Sequence, residues 1–374
     1  MSLALPLAPP LSARPAALCL AGLLAFAAVA VAAPLAAYTV TLAAFGLPHV
    51  LSELRYVDRR FGRRIARNIL TAMALLLPII VAIRSCVVFH VVPAEWGVPA
   101  ELTGVVVLAL ACARGPLRQR VAALAAAVTL GTAALVSPFV TAAGLSILHN
   151  LTPLGFLWQL APRALRPRVM MPALAAFLGL PLLVATGLPR MMLAAFIGAG
   201  GNLDPLHAGP VATHFYVYVP APFVATPAAI DLFTASVVAQ GAHYAAVIII
   251  LPLLLSRFDL RARGLAAWPR GIAFAAICAG AGLIGLIGAQ GGFAEARALY
   301  GIFASVHAWI EIPVLIVALT GADQPCSSNP DRNEAELLNS DTSMARSTRS
   351  AAIQAISRPS ASTTAASSAA TDGQ

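Results

Sequence analysis

The chain is dominated by apolar runs that each approach the length of a membrane-spanning helix. Such a helix needs about 20 predominantly apolar residues to cross the hydrocarbon core of a bilayer. Of the 374 residues, 59% are hydrophobic and only 10% are charged, whereas an average soluble domain carries about 25% charged residues. Most of the chain therefore cannot face water. The sequence predicts an all-α, polytopic transmembrane helix bundle.

The apolar runs predict about ten spans. Their expected bounds are 16–33, 35–55, 68–92, 99–113, 119–136, 138–160, 168–188, 226–256, 270–289 and 294–320. The first run is interpreted as a helix and not as a signal peptide, because its apolar character continues past Pro34 without a cleavage site. The bundle then occupies residues 16–322, after an N-terminal segment 1–15. The tail 323–374 is rich in Ser, Thr and Ala, and is expected to be disordered.

The placement of arginine predicts the direction of each span. All 24 basic residues are arginines, because the chain contains no lysine. Clusters of them follow the even-numbered spans, at 55–67, 114–120, 163–168 and 257–270. An excess of positive charge marks cytoplasmic loops, so both termini are predicted to be cytoplasmic in a cell membrane, by expectation the bacterial inner membrane. The net charge of +9 then reflects topology and predicts no nucleic-acid partner. The lack of lysine excludes a retinal Schiff base.

Segment 189–225 departs from this pattern. Its apolar start, 190–200, is too short to span, and a polar, aromatic stretch follows from Gly200 to Pro222. Non-helical backbone at membrane depth must be buried in protein or line a wet cavity. We predict either a re-entrant or interfacial loop on the outer face, or a plain outer loop anchored by tyrosines.

Four histidines lie inside predicted spans, where an ionisable residue is costly and by default marks a functional site. They are His49, His149, His243 and His307. The last three precede the first charged residue on the cytoplasmic side by 14 to 16 residues, so they share a depth to within about 3 Å. His49 precedes Arg55 by only six residues, and reaches that depth only if its helix continues beyond Arg55. The pattern indicates either a shared metal or proton site, or separate buried histidines bonded to backbone carbonyls. Toward the outer side, His90, His207 and His214 are expected to be solvated or to cap loops.

Two of the intramembrane histidines are followed by a carboxylate one helical turn later. His49 and Glu53, and likewise His307 and Glu311, form H-x-x-x-E motifs, and i,i+4 spacing places each pair on one helix face. Imidazole and carboxylate together suit iron, manganese or zinc. Each glutamate is therefore a candidate catalytic residue or ligand, or alternatively an orienting group that accepts the other N–H of an imidazole.

The stretch Gly46-Leu47-Pro48-His49 resembles the Brp/Blh family of membrane-embedded bacterial β-carotene 15,15′-dioxygenases. The resemblance implies an all-helical fold, an iron site made by histidines on several helices, and oxygen-dependent cleavage of a carotenoid to retinal. On this basis His49 would be a ligand, with His149, His243 and His307 as its partners. The family motif continues into Gly and then Asp, whereas this chain continues 50–53 as Val-Leu-Ser-Glu, so the acidic residue is displaced and changed.

These observations lead to one hypothesis and two alternatives. The hypothesis is a non-haem Fe(II) oxygenase of the membrane that acts on a lipophilic small molecule entering from the bilayer. A proton-coupled transporter would use the same midplane histidines and glutamates. A structural membrane protein without catalysis would bury the histidines incidentally. The sequence leaves the substrate and the oligomeric state open.

Overall fold

A computed structural model of the protein describes residues 13–197, 203–258 and 264–320. Several predicted features lie outside these residues: most of segment 1–15, residues 198–202 of the predicted loop, the arginines at 261 and 263, and the tail 323–374.

The described part of the chain is helical and contains no strand. Its helices, in chain order, are α1 (Ala13–Ala32), α2 (Pro34–Phe61), α3 (Arg67–Val88), α4 (Ala94–Ala111), α5 (Leu117–Val136), α6 (Pro138–His149), α7 (Thr152–Leu160), α8 (Arg166–Leu174, extended by a π-helical turn over Ala175–Gly179 and by Leu180–Ala185), α9 (Leu188–Ile197), α10 (Phe215–Tyr218), α11 (Ala229–Ala245, extended by a π-helical turn over Ala246–Ile250 and by Leu251–Phe258), α12 (Ile272–Gly291) and α13 (Phe293–Thr320).

Nine helical segments of the described residues are long and apolar enough to cross a membrane, with α6 and α7 counted together, and α1 adds a shorter apolar helix. The surface they form is apolar: Leu135, Ile272 and Val136 are 89%, 88% and 81% exposed. Soluble monomers rarely expose large contiguous apolar patches. The predicted all-α polytopic bundle of about ten spans is confirmed.

Several predicted boundaries need correction. The span predicted over 138–160 keeps these bounds but is made of two helices, α6 and α7, joined at residues 150–151. Asn150 and Leu151 form a turn there because Pro153, in the first turn of α7, has no N–H to continue the α6 ladder. The fourth span begins at Ala94 and not at residue 99, since Pro93 precedes it and Glu95 lies in its favourable first turn. The loop predicted over 189–225 begins with a helix, α9.

The arginine-rich ends of the helices lie together. Arg60, near the end of α2, donates to Gln159 of α7 at 3.1 Å. Asp58 of α2 accepts a hydrogen bond from the Trp268 indole, which precedes α12, at 2.9 Å. These contacts place the ends of α2 and α7 and the start of α12 at one end of the bundle, as the arginine clusters predicted. We call it the arginine-rich end, and the other the opposite end.

Two apolar clusters occupy the two ends of the bundle. Tyr56, Phe61 and Phe156 belong to the cluster at the arginine-rich end. Tyr38 and Phe233 belong to the cluster at the opposite end. On α2 the polar residues His49 and Glu53 lie between Tyr38 and Tyr56, so the polar site is enclosed between two apolar cores.

Helix α12 packs very closely against α2. Pro48 has no N–H, so the Ala44 carbonyl has no donor four residues later in α2. Gly282 of α12 packs against this carbonyl, and a Cβ on Gly282 would collide with its oxygen. Gly285, one turn further along α12, meets the Ala43 carbonyl in the same way. The two glycines allow the backbones to touch beside the segment that carries His49.

Candidate metal centre

His49 is held by its own helix. Its Nδ1 lies 3.3 Å from the carbonyl oxygen of Phe45, one turn earlier in α2. Because a carbonyl oxygen only accepts, Nδ1 carries the proton in this hydrogen bond and Nε2 keeps its lone pair. The imidazole is 1% exposed. Beside it, Gly46 makes room for the ring of Tyr300, since a Cβ at residue 46 would lie 2.9 Å from that ring. The lone pair of His49 Nε2 therefore points into the bundle.

His149 is the last residue of α6 and is oriented by Glu311 of α13. The Nδ1 of His149 lies 2.6 Å from Oε2 of Glu311. The other oxygen, Oε1, lies 2.6 Å from the Thr152 hydroxyl. A carboxylate that accepts the Nδ1 proton fixes the tautomer and ring orientation of a histidine, and this is the arrangement found behind metal-ligating imidazoles. As in His49, the Nε2 lone pair is left free.

The Nε2 atoms of three histidines converge. His307 Nε2 lies 3.0 Å from His49 Nε2 and 3.1 Å from His149 Nε2. A nitrogen of His307 can hold only one proton, so it can bridge one of these two gaps and not both. Lone pairs that face each other at this distance repel, whereas a cation among them attracts all three.

His243, on α11, completes the group and is the least constrained member. Its Nε2 lies 3.6 Å from Oε2 of Glu53, which is too long for a hydrogen bond. Neither nitrogen of His243 and neither oxygen of Glu53 has a hydrogen-bond partner among the described residues, and both residues are fully buried. Buried polar atoms of this kind are costly unless something else satisfies them.

The four histidines together form a group that could hold a metal ion. Each offers one ligand nitrogen, and all four nitrogens lie within 4.8 Å of one another. His149, His243 and His307, which were predicted to share one depth, lie close together. His49 joins them because α2 continues to Phe61, twelve residues beyond it. Four different helices, α2, α6, α11 and α13, each supply one imidazole.

The two glutamates lie at the site but pair differently from the H-x-x-x-E prediction. Glu311 contacts His149 and not His307, and Glu53 approaches His243 and not His49. Residues at i and i+4 share a helix face, but here each carboxylate reaches across to an imidazole of a neighbouring helix. For Glu311 this geometry fits the role of a group that orients an imidazole, which was the alternative to a catalytic or ligand role in the sequence prediction.

No protein-family model, curated protein or solved structure matches the chain. A functional assignment must therefore follow from the chemistry of the site itself.

A long cavity of about 670 Å³ lies beside the histidines. On α13 it extends from Arg297 to Leu319, a rise of about 33 Å over 22 residues. That length matches the hydrocarbon thickness of a bilayer, about 30 Å. His307 lines it near the middle, ten residues after Arg297. Leu148 and Leu319, both in the lining, are 58% and 49% exposed, so the cavity opens onto the apolar surface.

Sequence reasoning missed several residues of this site. Tyr244 follows His243 directly, and its ring lies 4.4 Å from the His49 ring, centroid to centroid. Tyr300 lines the cavity seven residues before His307, a spacing that puts both on one face of α13. That spacing was visible in the sequence. Gln240, whose spacing from His243 marked it in the sequence as a polar neighbour of the site, hydrogen-bonds the hydroxyls of Tyr244, one turn later, and of Tyr218. The contact with Tyr218 joins two separate helices, and no spacing in the sequence indicated it.

The histidines toward the outer side behave as predicted for loop-capping or solvated residues. His90 and His207 are exposed. His214 is buried, and its Nε2 donates to the Ala208 carbonyl at 3.1 Å. Burial lowers the pKa of His214, and the charge of Arg297 acts in the same direction. The neutral Nδ1 of His214 can then accept a hydrogen bond from Arg297, whose Nη1 lies 3.2 Å away.

Proposed function

We propose that this protein is a membrane non-haem iron oxygenase that acts on an elongated lipophilic substrate. His49, His149, His243 and His307 would hold Fe(II). The observation that carries the proposal is the convergence of three Nε2 atoms at 3.0 and 3.1 Å, with the Nδ1 atoms of His49 and His149 bonded outward to oxygen acceptors. Outward N–H donation of this kind is typical of metal-ligating histidines.

Four imidazoles with two carboxylates beside them suit iron, manganese or zinc. Among these metals, the resemblance of residues 46–49 to the Brp/Blh motif favours iron.

The cavity supports a long substrate that reacts near its middle. Its length matches a bilayer-spanning chain, and His307 lies about 15 Å from the Arg297 end and about 18 Å from the Leu319 end, at a rise of about 1.5 Å per residue. Iron bound at the histidines would supply the oxygen activation needed to cleave a carbon–carbon double bond. Together with the resemblance of residues 46–49 to the Brp/Blh motif, this makes carotenoid cleavage, with retinal as the product from β-carotene, the named reaction of the proposal.

The protein's own groups would orient and enclose the reaction. Glu311 holds the His149 imidazole, and Thr152 in turn fixes Glu311. Glu53 would serve as a further ligand or as an orienting group for His243. The apolar cores above and below the site exclude water, and the opening at Leu148 and Leu319 admits a lipophile laterally from the bilayer.

One observation favours a second function, proton-coupled transport. The carboxylates of Glu53 and Glu311 are both buried inside the bundle, each beside an imidazole of the histidine cluster. Buried carboxylates and histidines in contact are also the components of membrane proton relays. A transporter of this kind would not require bound iron.

Metal analysis separates the two functions. We would purify the full chain in detergent and measure bound iron, for the wild type, His307→Ala, His149→Ala and the control His214→Ala, which removes a buried histidine outside the cluster. The proposal predicts about one iron per chain, lost in the first two variants and kept in the control. Iron content that none of the substitutions changes would contradict it and direct attention to proton-gradient-driven uptake.

The named reaction has its own test. Expression in a β-carotene-accumulating bacterial host should bleach the orange colour and release retinal, and His307→Ala at equal expression should leave the colour intact. Retained colour with an iron-loaded wild-type protein would reject β-carotene as a substrate and leave the metal site standing.

A further inference from the structure

Three charged residues line the cavity: Arg84, Glu311 and Arg297. They differ in whether another side chain already pairs with their charge. Arg84 forms a bidentate pair with Glu101, with contacts of 2.7 to 3.1 Å. Glu311 is bonded to His149 and Thr152. Arg297 has no carboxylate partner within the described ranges: its guanidinium contacts His214 Nδ1 at 3.2 Å and the Tyr38 side chain.

The surroundings of Arg297 make one end of the cavity polar and leave the other apolar. Tyr38 and Tyr218 line the cavity together with Arg297 at the opposite end of the bundle, and Gln240 lines it between that end and the histidines. Towards the arginine-rich end the α13 residues that line it are Ile312, Leu315 and Leu319. A ligand that matches both ends has an anionic or strongly accepting group at one end of a hydrocarbon chain.

We infer that the cavity binds an elongated lipophile that ends in a carboxylate, and that Arg297 anchors this carboxylate while the chain runs past the histidines. A planar guanidinium matches a carboxylate with two parallel hydrogen bonds. A pure hydrocarbon would leave the guanidinium unpaired, so within the carotenoid class the cavity favours acid-ended molecules over β-carotene. The inference rests on the proposed function only in taking this cavity as the substrate site.

The position of Arg297 also suits entry from the bilayer. It lies in the second turn of α13, near the membrane surface if α13 spans the bilayer. An amphiphile already keeps its carboxylate at the interface and its chain in the hydrocarbon core. Lateral entry would therefore deliver the head group to Arg297 without first moving it through the apolar interior.

The geometry also predicts where such a chain reacts. Ten residues separate Arg297 from His307, a rise of about 15 Å. An extended carbon chain with bonds of about 1.5 Å advances about 1.3 Å per bond. The bond presented to the histidines would lie roughly 12 bonds from the carboxylate.

Binding measurements test the anchor without turnover. The full chain, metal-free in lipid nanodiscs, is titrated with all-trans-retinoic acid and separately with methyl retinoate, and quenching of tryptophan fluorescence is followed, since Trp309 lines the cavity. The wild type should bind the acid about tenfold more tightly than the ester, because the ester oxygens accept only neutral hydrogen bonds, which are weaker than charge-assisted ones. Arg297→Gln should lose this tenfold advantage and bind the ester unchanged.

Two further variants complete the test. Arg297→Lys keeps the charge and should keep part of the preference for the acid. Arg190→Gln is the matched control: Arg190 lies near the same end but is paired with Asp231 at 2.7 Å and does not line the cavity, so the preference should be unchanged. Equal affinity for acid and ester in the wild type, or an equal loss of both in Arg297→Gln, would overturn the anchor.

The outcomes for the anchor and for the metal are independent. A preference for the acid in a protein that binds no iron on reconstitution would uphold the anchor and reject the oxygenase. Bound iron without any preference for the acid would reject the anchor and uphold the metal site.

Discussion

The role of Glu311 can be tested by removing its charge without removing its shape. In Glu311→Gln the amide oxygen can still accept the Nδ1 proton of His149, and the amide nitrogen can donate to the Thr152 hydroxyl. The Thr152 hydroxyl can in turn donate to the His149 carbonyl, which lies 2.8 Å away. All hydrogen bonds survive, so the imidazole keeps its orientation and only the negative charge behind it is lost.

The size of the effect follows from the kind of hydrogen bond that is lost. A bond to a charged group is worth about 1.5–3 kcal/mol and a neutral bond about 0.5–1.5 kcal/mol. The difference, about 1 to 1.5 kcal/mol, corresponds to roughly tenfold weaker iron binding in Glu311→Gln. Glu311→Ala removes the acceptor altogether and should weaken binding about 100-fold, the upper range for groups behind a metal ligand.

The assay is an anaerobic competition between the purified protein and a chromogenic Fe(II) chelator. Thermal unfolding of the metal-free proteins is measured alongside, so that misfolding is not mistaken for weak binding. The essential result is that iron affinity falls in the order wild type, Glu311→Gln, Glu311→Ala. Unchanged iron affinity in both variants, with unfolding temperatures equal to that of the wild type, would refute the orienting role of Glu311.

Three other predictions concern stability and pH. Glu101 accepts hydrogen bonds from the Arg84 guanidinium and from the Trp309 indole N–H, the latter at 2.8 Å, and Glu101→Ala leaves both donors without an acceptor. The substitution should lower the free energy of unfolding by about 3 kcal/mol. Reversible denaturation in detergent measures this, and an unchanged unfolding midpoint would contradict it. Gly282→Ala should lower the unfolding free energy by about 1–3 kcal/mol because a backbone carbonyl cannot move aside. Gly280→Ala, on the same helix, should not destabilise the protein, because a Cβ there meets nothing within 4 Å. Equal effects of the two substitutions would reject close helix contact as the cause. Iron affinity should fall on acidification, since protons compete with the ion for the imidazole nitrogens, and an affinity that rises at low pH in the competition assay would argue against histidine ligation.

Much of the fold could be predicted because the bilayer imposes simple rules on the chain. Run length predicted the spans, and the arginine clusters predicted which helix ends lie together, as the contact between Arg60 and Gln159 confirms. Once the helix directions were fixed, the constant rise per residue allowed depths to be compared. That comparison predicted that His149, His243 and His307 lie at one level.

The remaining details depend on tertiary contacts that no single segment encodes. The depth of His49 depended on where α2 ends, and the helix continues to Phe61 because Asp58 is held by contacts with residues 265–268, more than 200 positions away. The pairing of Glu311 with His149 similarly depends on how α6 and α13 pack. A helical wheel shows which residues share a face, but not which neighbouring helix that face meets.

The distribution of the four imidazoles over α2, α6, α11 and α13 has a consequence for biosynthesis. The nascent chain presents His49 early and His307 only when α13 emerges, so the four nitrogens cannot meet before all four helices have been inserted. Loading of the proposed iron would then be a late event, and it would report that insertion is complete. A truncated or misinserted chain would lack at least one ligand, bind the ion more weakly, and remain distinguishable from finished protein by its metal content alone.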